Sequence, residues 1–300
     1  MLSWAQQEFN FSQFTSHKML FNPGYAGSGG CPCFTLTHRE QWLGLEGAPS
    51  TSAFSVNSPL LNDKIGVGFS AMNDKIGYFN AMTFSGIYAY RVFVGKGALS
   101  FGLQGSYRRY TADEDEIKAI SADDPLLLEG FDPFSTINFG GGIYFENPKF
   151  FAGIGVPRLL KKGLKASNNG IVNDFSGETP HVYGMAGMIL PVSDNVKFRP
   201  GLLIKYVKQA PLNADVNITF GFYDKLWLGG TYRFGNANLP GDNGSVSGLV
   251  EFQITPQFKI GAAYDYALSK LNDFNQGTIE VMLGYCLMKE DKGVRNPRFF

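Results

Sequence analysis

The sequence predicts an all-β fold, a transmembrane antiparallel β-barrel of about 14 strands preceded by an irregular, plug-like N-terminal segment. Three observations lead there. The chain is rich in residues that favour strands and tight turns, with 27 Phe, 14 Tyr and 37 Gly against only 17% charged residues. Apolar and polar residues alternate with period two in segment after segment. The links between these segments are short and long in turn, as a barrel with one turn end and one loop end requires.

Mean hydropathy is −0.09, and no apolar run approaches the roughly 18 residues that a spanning helix needs. A helical membrane protein is excluded, whereas a barrel looks this mild because lumen-facing residues dilute the lipid-facing ones. Lys plus Arg and Asp plus Glu are 26 each, which leaves no basic footprint for nucleic acid.

Residues 1–5, MLSWA, followed by Gln6, read as the end of a secretory signal, with the mature chain starting near Gln6. Residues 6–32 are aromatic and Gly-rich, too apolar for a free tail, and are expected to pack inside or beneath the barrel as a periplasmic or plug segment. Residues 33–300 form the barrel.

Within it, strands are expected at 33–44, 51–60, 64–74, 79–94, 97–112, 134–147, 149–156, 179–192, 195–208, 211–223, 225–235, 244–255, 257–268 and 277–289. The faces separate cleanly: Met82, Phe84, Tyr88, Tyr90 and Val92 oppose Thr83, Ser85, Ala89 and Arg91. Likewise Phe258, Ile260, Ala262, Tyr264 and Tyr266 oppose Lys259, Gly261, Ala263 and Asp265. Tight turns fall at Asn62-Asp63, Gly95-Lys96, Asn147-Pro148, Ser193-Asp194, Asp224 and Pro256-Gln257, after every even strand. Long connections follow odd strands, most clearly 45–50, 113–133, 157–178 and 236–243, although 75–78 and 209–210 are short. An even count with this phase puts both chain ends on the periplasmic side of a bacterial outer membrane. The terminal Arg298-Phe299-Phe300 resembles the C-terminal Phe of outer-membrane barrels.

The order FSQF, NPGYAGS, REQWLGLEGAPSTSAFS, NDKIG, AYR, DDP, NFGGGIYF and FFAGIGVPRLL resembles the PorP/SprF family of the type IX secretion system over nearly the whole chain. The most selective pieces are Asn22 to Gly27, Gln41-Trp42 with Gly47-Ala48-Pro49, Asn73 to Gly77, and Val156-Pro157 with Leu159-Leu160. The resemblance implies a non-catalytic integral outer-membrane protein in contact with outer-membrane lipid. Its implied partners are other type IX components, or a secreted type IX substrate or gliding adhesin bound through its C-terminal domain. No cofactor is implied.

Candidate chemistry is sparse. His17, His38 and His181 share no local motif with a nucleophile, so they read as structural or solvated. The acidic run Asp113 to Glu116, with Asp123, Asp124 and Asp132, reads as a solvated outer loop rather than a calcium site. Gly140-Gly141-Gly142 lies within a strand, where close backbone approach or a barrel bend is the expected cause. Cys31, Cys33 and Cys286 are odd in number and irregular in spacing, so neither a disulfide framework nor a zinc site is expected, and Cys31-Pro32-Cys33 reads as an inert loop pair. Trp42 and Pro49, at the first outward connection, fit an aromatic girdle or a partner-binding rim equally. Arg158, Leu159 and Leu160 open the connection containing LLKKGL, expected to form a short amphipathic helix against a partner or the membrane. The rival reading is a porin or substrate-specific channel, suggested by the lumen-facing Arg91, Arg108, Lys197, Arg199 and Lys205.

Overall fold

Alternation along the strands sets what each face meets, and in the computed structural model that pattern closes on itself. The structure describes residues 10–113, 133–168, 171–208, 210–235, 243–269 and 273–287. The strand segments among them are β1 (Cys33–Glu40), β2 (Ser50–Leu60), β3 (Ile65–Ile76), β4 (Phe79–Val94), β5 (Gly97–Ala112), β6 (Phe134–Glu146) and β7 (Phe150–Val156). There follow β8 (Lys162–Asn168), β9 (Ile171–Glu178), β10 (His181–Met188), β11 (Leu190–Ser193), β12 (Val196–Val207), β13 (Asn213–Phe222), β14 (Leu226–Arg233), β15 (Ser245–Gln253), β16 (Phe258–Ala267) and β17 (Thr278–Cys286).

Neighbours in sequence pair antiparallel around the wall, β10 bridges β7 to β12, and β1 pairs with β17 to close the cylinder. β10 and β11 are two parts of one stave, broken at Ile189 and irregular between Pro191 and Ser193, where proline has no N–H to give the ladder. β8 and β9 pair only with each other. The barrel therefore has fourteen staves.

The outer surface is apolar. Met82, Phe84, Tyr88, Tyr90 and Val92 of β4 are exposed while Thr83, Ser85, Ala89 and Arg91 are buried, and Ile279, Val281, Leu283 and Tyr285 of β17 alternate with buried Thr278, Glu280 and Met282. Each large apolar side chain left in water forgoes about 1.5–3 kcal/mol, and this belt runs round the molecule, so a bilayer is the solvent that its exterior fits. No helix of the described residues is long and apolar enough to cross a membrane. The strands cross instead.

Two expectations are corrected. Cys33 and Cys286 form a disulfide across the closing pair, because barrel closure sets the first strand beside the last with Cys33 opposite Cys286. No spacing rule relates residues 253 apart. The segment holding LLKKGL is no helix: Lys162–Asn168 is a strand, paired with Ile171–Glu178 as a hairpin. The acidic residues from Glu114 to Asp132, residues 1–9 and Arg298 to Phe300 lie outside the described residues.

Candidate functional site in the lumen and at the rim

The inward face carries polar and charged residues with a patch of buried apolar ones, and residues 10–31 pack against it. This segment has short 3-10 turns at Phe14–Ser16 and Pro23–Tyr25 around one helical turn, α1 (Lys18–Phe21). Asn22 begins the second 3-10 turn: its Oδ1 accepts the Gly24 N–H at 2.9 Å, Pro23 needs no such acceptor, and its Nδ2 donates to the Ile143 carbonyl at 3.0 Å. Phe11, Phe14 and Phe21 are fully buried and pack with Tyr144, Phe151, Tyr183 and Leu203 of the wall.

The wall makes room with glycine. A Cβ on Gly102 would lie 2.2 Å from the Gly24 nitrogen, one on Gly155 2.3 Å from the Phe21 oxygen, and one on Gly142 2.1 Å from Asn22 Oδ1. The central part of the segment thus lies backbone-close to β5, β6 and β7, which only glycine permits. Close approach also accounts for the two inward members of the Gly140-Gly141-Gly142 run, Gly142 facing Asn22 and Gly140 the Pro157 carbonyl.

Four buried charge clusters flank the segment. Glu280 accepts the backbone N–H groups of Ser12 and Gln13 at 2.8 and 3.0 Å, and its pairing with Arg39 at 3.0 Å is continued by Arg39 to Asp265 at 2.6 Å. Lys205 donates to Asn10 Oδ1 at 2.6 Å and to Asp215 at 2.7 Å, and Arg233 shares that carboxylate. Arg199 pairs with Glu251 at 3.1 Å beneath the Trp227 ring, while Lys259 reaches Ser16 Oγ at 3.2 Å. Arg91 bonds the Gly27 carbonyl at 2.7 Å and Glu146 at 2.7 Å. The lumen cations that suggested a channel therefore each have a carboxylate, Arg108 with Asp74 and Lys197 with Asp224 included. Desolvated charges are tolerated only in such company.

The three histidines are placed apart. His17 is buried against Thr37, His38 is exposed beside Ser52 and Glu40, and His181 Nδ1 meets the Thr179 carbonyl at 2.8 Å. Cys31 Sγ lies 3.7 Å from Cys33 Sγ. Although the three cysteine sulfurs lie within 4.8 Å of one another, two are bonded together, so they offer no three-thiolate ligand set in this form.

The rim residues singled out from sequence fall in two places. Trp42, with φ 50°, donates its N–H to Thr278 Oγ1, and the Pro49 carbonyl accepts the Gln41 N–H. The Gly47 carbonyl in the same connection accepts the Gly77 N–H, which ties the β1–β2, β3–β4 and β16–β17 links together. Arg158, Leu159 and Leu160 follow β7, several staves away round the wall. There Asn138 of β6 holds the chain: its Oδ1 accepts the Leu159 and Leu160 N–H groups, and its Nδ2 donates to the Leu160 carbonyl and to Glu178 at 2.8 Å. Glu178, at the base of the hairpin, also accepts from Tyr110 and Thr136. Leu159 and Leu160 are exposed, whereas Arg158 lines a small cavity with Leu20, Ser70, Met72, Thr83, Ser85, Gln104, Pro157, His181 and Tyr183. Sequence reasoning quoted Asn138 only as the first residue of NFGGGIYF and gave it no role, and it missed Glu178, which belongs to no local motif. It also missed Gly102 and Gly155, whose inward positions in their strands were the available signal.

A family model described as "Type IX secretion system membrane protein PorP/SprF" matches residues 3–285. No curated protein matches the sequence. Among solved structures, the chain is similar to the CymD monoaromatic hydrocarbon channel, with 14% identity, a TM-score of 0.55, and 91% of this chain and 93% of that one covered. It is similar to the Acinetobacter baumannii outer membrane protein Omp33, with 12% identity, a TM-score of 0.50, and coverage of 86% and 100%. A Pseudomonas aeruginosa FadL homologue gives 12%, 0.50, and coverage of 89% and 93%. At these identities the likeness is one of fold.

Proposed function

The chain belongs to the PorP/SprF family of type IX secretion system membrane proteins, and from that premise we propose that this outer-membrane barrel acts without catalysis, by holding a secreted protein at its outer mouth. The partner is a type IX substrate or adhesin engaged through its C-terminal domain, with other secretion components on the periplasmic side. In this reading both chain termini face the periplasm, residues 10–31 plug the lumen, and Trp42, Pro49, Arg158, Leu159 and Leu160 belong to the binding rim. The observation that carries it is the packing of the N-terminal segment on the paired inward charges, which suits a closed holder better than a conduit. A pull-down from detergent-solubilised outer membrane tests it. Recovery of type IX components or a type IX substrate is the expected result, and recovery of neither refutes the reading.

The alternative is a porin or substrate-specific channel, the activity suggested by the basic lumen. The carboxylate pairing of those cations and the occupied interior weigh against it.

A further inference from the structure

The N-terminal segment ends in a glycine-rich turn that leads into the first wall strand. Gly27 and Gly30 adopt positive φ, 78° and 67°, which residues with a Cβ disfavour. A Cβ on Gly29 would lie 3.3 Å from Cys33 Sγ, so the turn folds the chain over that sulfur and delivers Cys31 beside it. Pro32 continues the closing ladder, its carbonyl accepting the Leu287 N–H at 2.8 Å, and Cys33 stands opposite Cys286. All of this lies at the end of the barrel that carries the short turns, where β2 passes into β3.

Three sulfurs meet there in unequal roles. Cys33 and Cys286 are bonded to each other, and Cys31 is a buried thiol outside that bond. The Cys31 thiol donates to the Gly29 carbonyl at 3.5 Å, and its Sγ lies 3.7 Å from Cys33 Sγ. All three sulfur atoms fall within 4.8 Å of one another. Thiol–disulfide exchange needs an attacking thiolate, a bonded sulfur in contact with it and a second bonded sulfur that can leave. This chain supplies the three in one place.

We propose that Cys31 is the exchange partner of the closing disulfide, so that the bond stapling the first strand to the last is transferred to the end of the N-terminal segment. Cys31 gives up its proton and its Sγ attacks Cys33 Sγ, the sulfur it touches. The Cys31–Cys33 bond forms as the Cys33–Cys286 bond breaks, and the electron pair leaves on Cys286 Sγ, which takes up a proton. One disulfide and one thiol stand on each side of the step, and no oxidant or reductant is consumed. A bond between residues two apart closes a tight ring, so Cys33–Cys286 is the resting form and the exchanged form has to be trapped. In that form the β1–β17 ladder remains but its covalent staple is gone. None of this depends on the partner proposed above.

The test uses the full barrel, purified in detergent without reductant and kept folded with a polyethylene-glycol maleimide at about pH 8, near the ordinary thiol range. Samples are quenched in acid, digested and mapped by mass spectrometry. The reagent is bulky, and Cys31 is only 8% exposed whereas Cys286 is half-buried, so the label reads the released sulfur. The expected result is label accumulating on Cys286 over minutes to hours, up to one equivalent, with Cys31 and Cys33 joined within a single tryptic peptide. Cys31→Ser should retain the Cys33–Cys286 bond and take up no label. Absence of label, label confined to Cys31 with Cys33–Cys286 intact, or label on Cys33 overturns the proposal. So does label on Cys286 in Cys31→Ser, which would show that the bond opens without the third cysteine.

Discussion

Replacing Glu280 with Ala removes the group that holds the Ser12 and Gln13 backbone of the N-terminal segment. The Glu280 carboxylate is fully buried, accepts two backbone N–H groups from Ser12 and Gln13, and shares Arg39 with Asp265. A hydrogen bond to a charged group contributes about 1.5–3 kcal/mol, and breaking a buried ion pair costs about 3–5 kcal/mol when the surviving charge is stranded. Arg39 is not stranded, because Asp265 remains at 2.6 Å. The two contributions also overlap, so the low end applies and local opening of the segment becomes easier by about 3 kcal/mol. At about 1.4 kcal/mol per factor of ten, the Ser12 and Gln13 amides should exchange with solvent roughly a hundredfold faster. Hydrogen exchange read by mass spectrometry on the detergent-solubilised barrel measures this directly, with β4 and β5 as internal references. Glu280→Gln keeps one acceptor and should fall between. Unchanged protection of Ser12 and Gln13 refutes the reasoning. So does an equal loss of protection in β4 and β5, which would place the effect in the wall rather than in the segment.

Two further outcomes follow from the same geometry. Gly102→Val places a side chain where Pro23 and Gly24 already lie, at 2.2 Å, but suits a strand; it should leave the barrel folded and heat-modifiable while residues 10–31 become protease-sensitive, and continued protection of the segment contradicts the close approach. Glu178 should impose a pH dependence on the hairpin base: burial raises its carboxyl pKa, but the Asn138 hydrogen bond and the Arg158 and Arg108 charges outweigh it, so the net shift is below 4.5. A depressed carboxyl contributes stability that is intact above the ordinary carboxylate range and lost as pH falls through the folded value. Protection of the Leu159 and Leu160 amides should therefore hold at neutral pH and fail only below about pH 4.5, and an identical acid profile in Glu178→Gln would show that another group is responsible.

How far the sequence reaches depends on whether a feature is local. β4 and β5 match their expected bounds because Gly95-Lys96 marks the turn and a long alternating run marks each side. β1 stops at Glu40, short of 44, because Trp42 and Gly44 adopt positive φ; that turn geometry leaves little trace in an apolar run. The hairpin β8–β9 was hidden because LKKGL satisfies a helical pattern as well as a strand, and nothing local decides between them. The Cys33–Cys286 bond exists only once the cylinder closes. The cavity is harder still, since Ser70, Thr83 and Gln104 sit on three adjacent strands and Tyr183, on β10, meets them only across the lumen. Arg158 was singled out for its place in a family-like motif and an exposed loop; its place on the cavity wall is a property of the fold.

The claim beneath all of this is that the lumen is filled by the chain's own residues 10–31. Planar-bilayer conductance, comparing the intact protein with a variant in which that stretch is replaced by a short Gly/Ser linker, tests it most directly. The intact barrel should show no large steady current and the variant should open a stable conductance. A large steady current through the intact protein, unchanged by the replacement, would contradict the account.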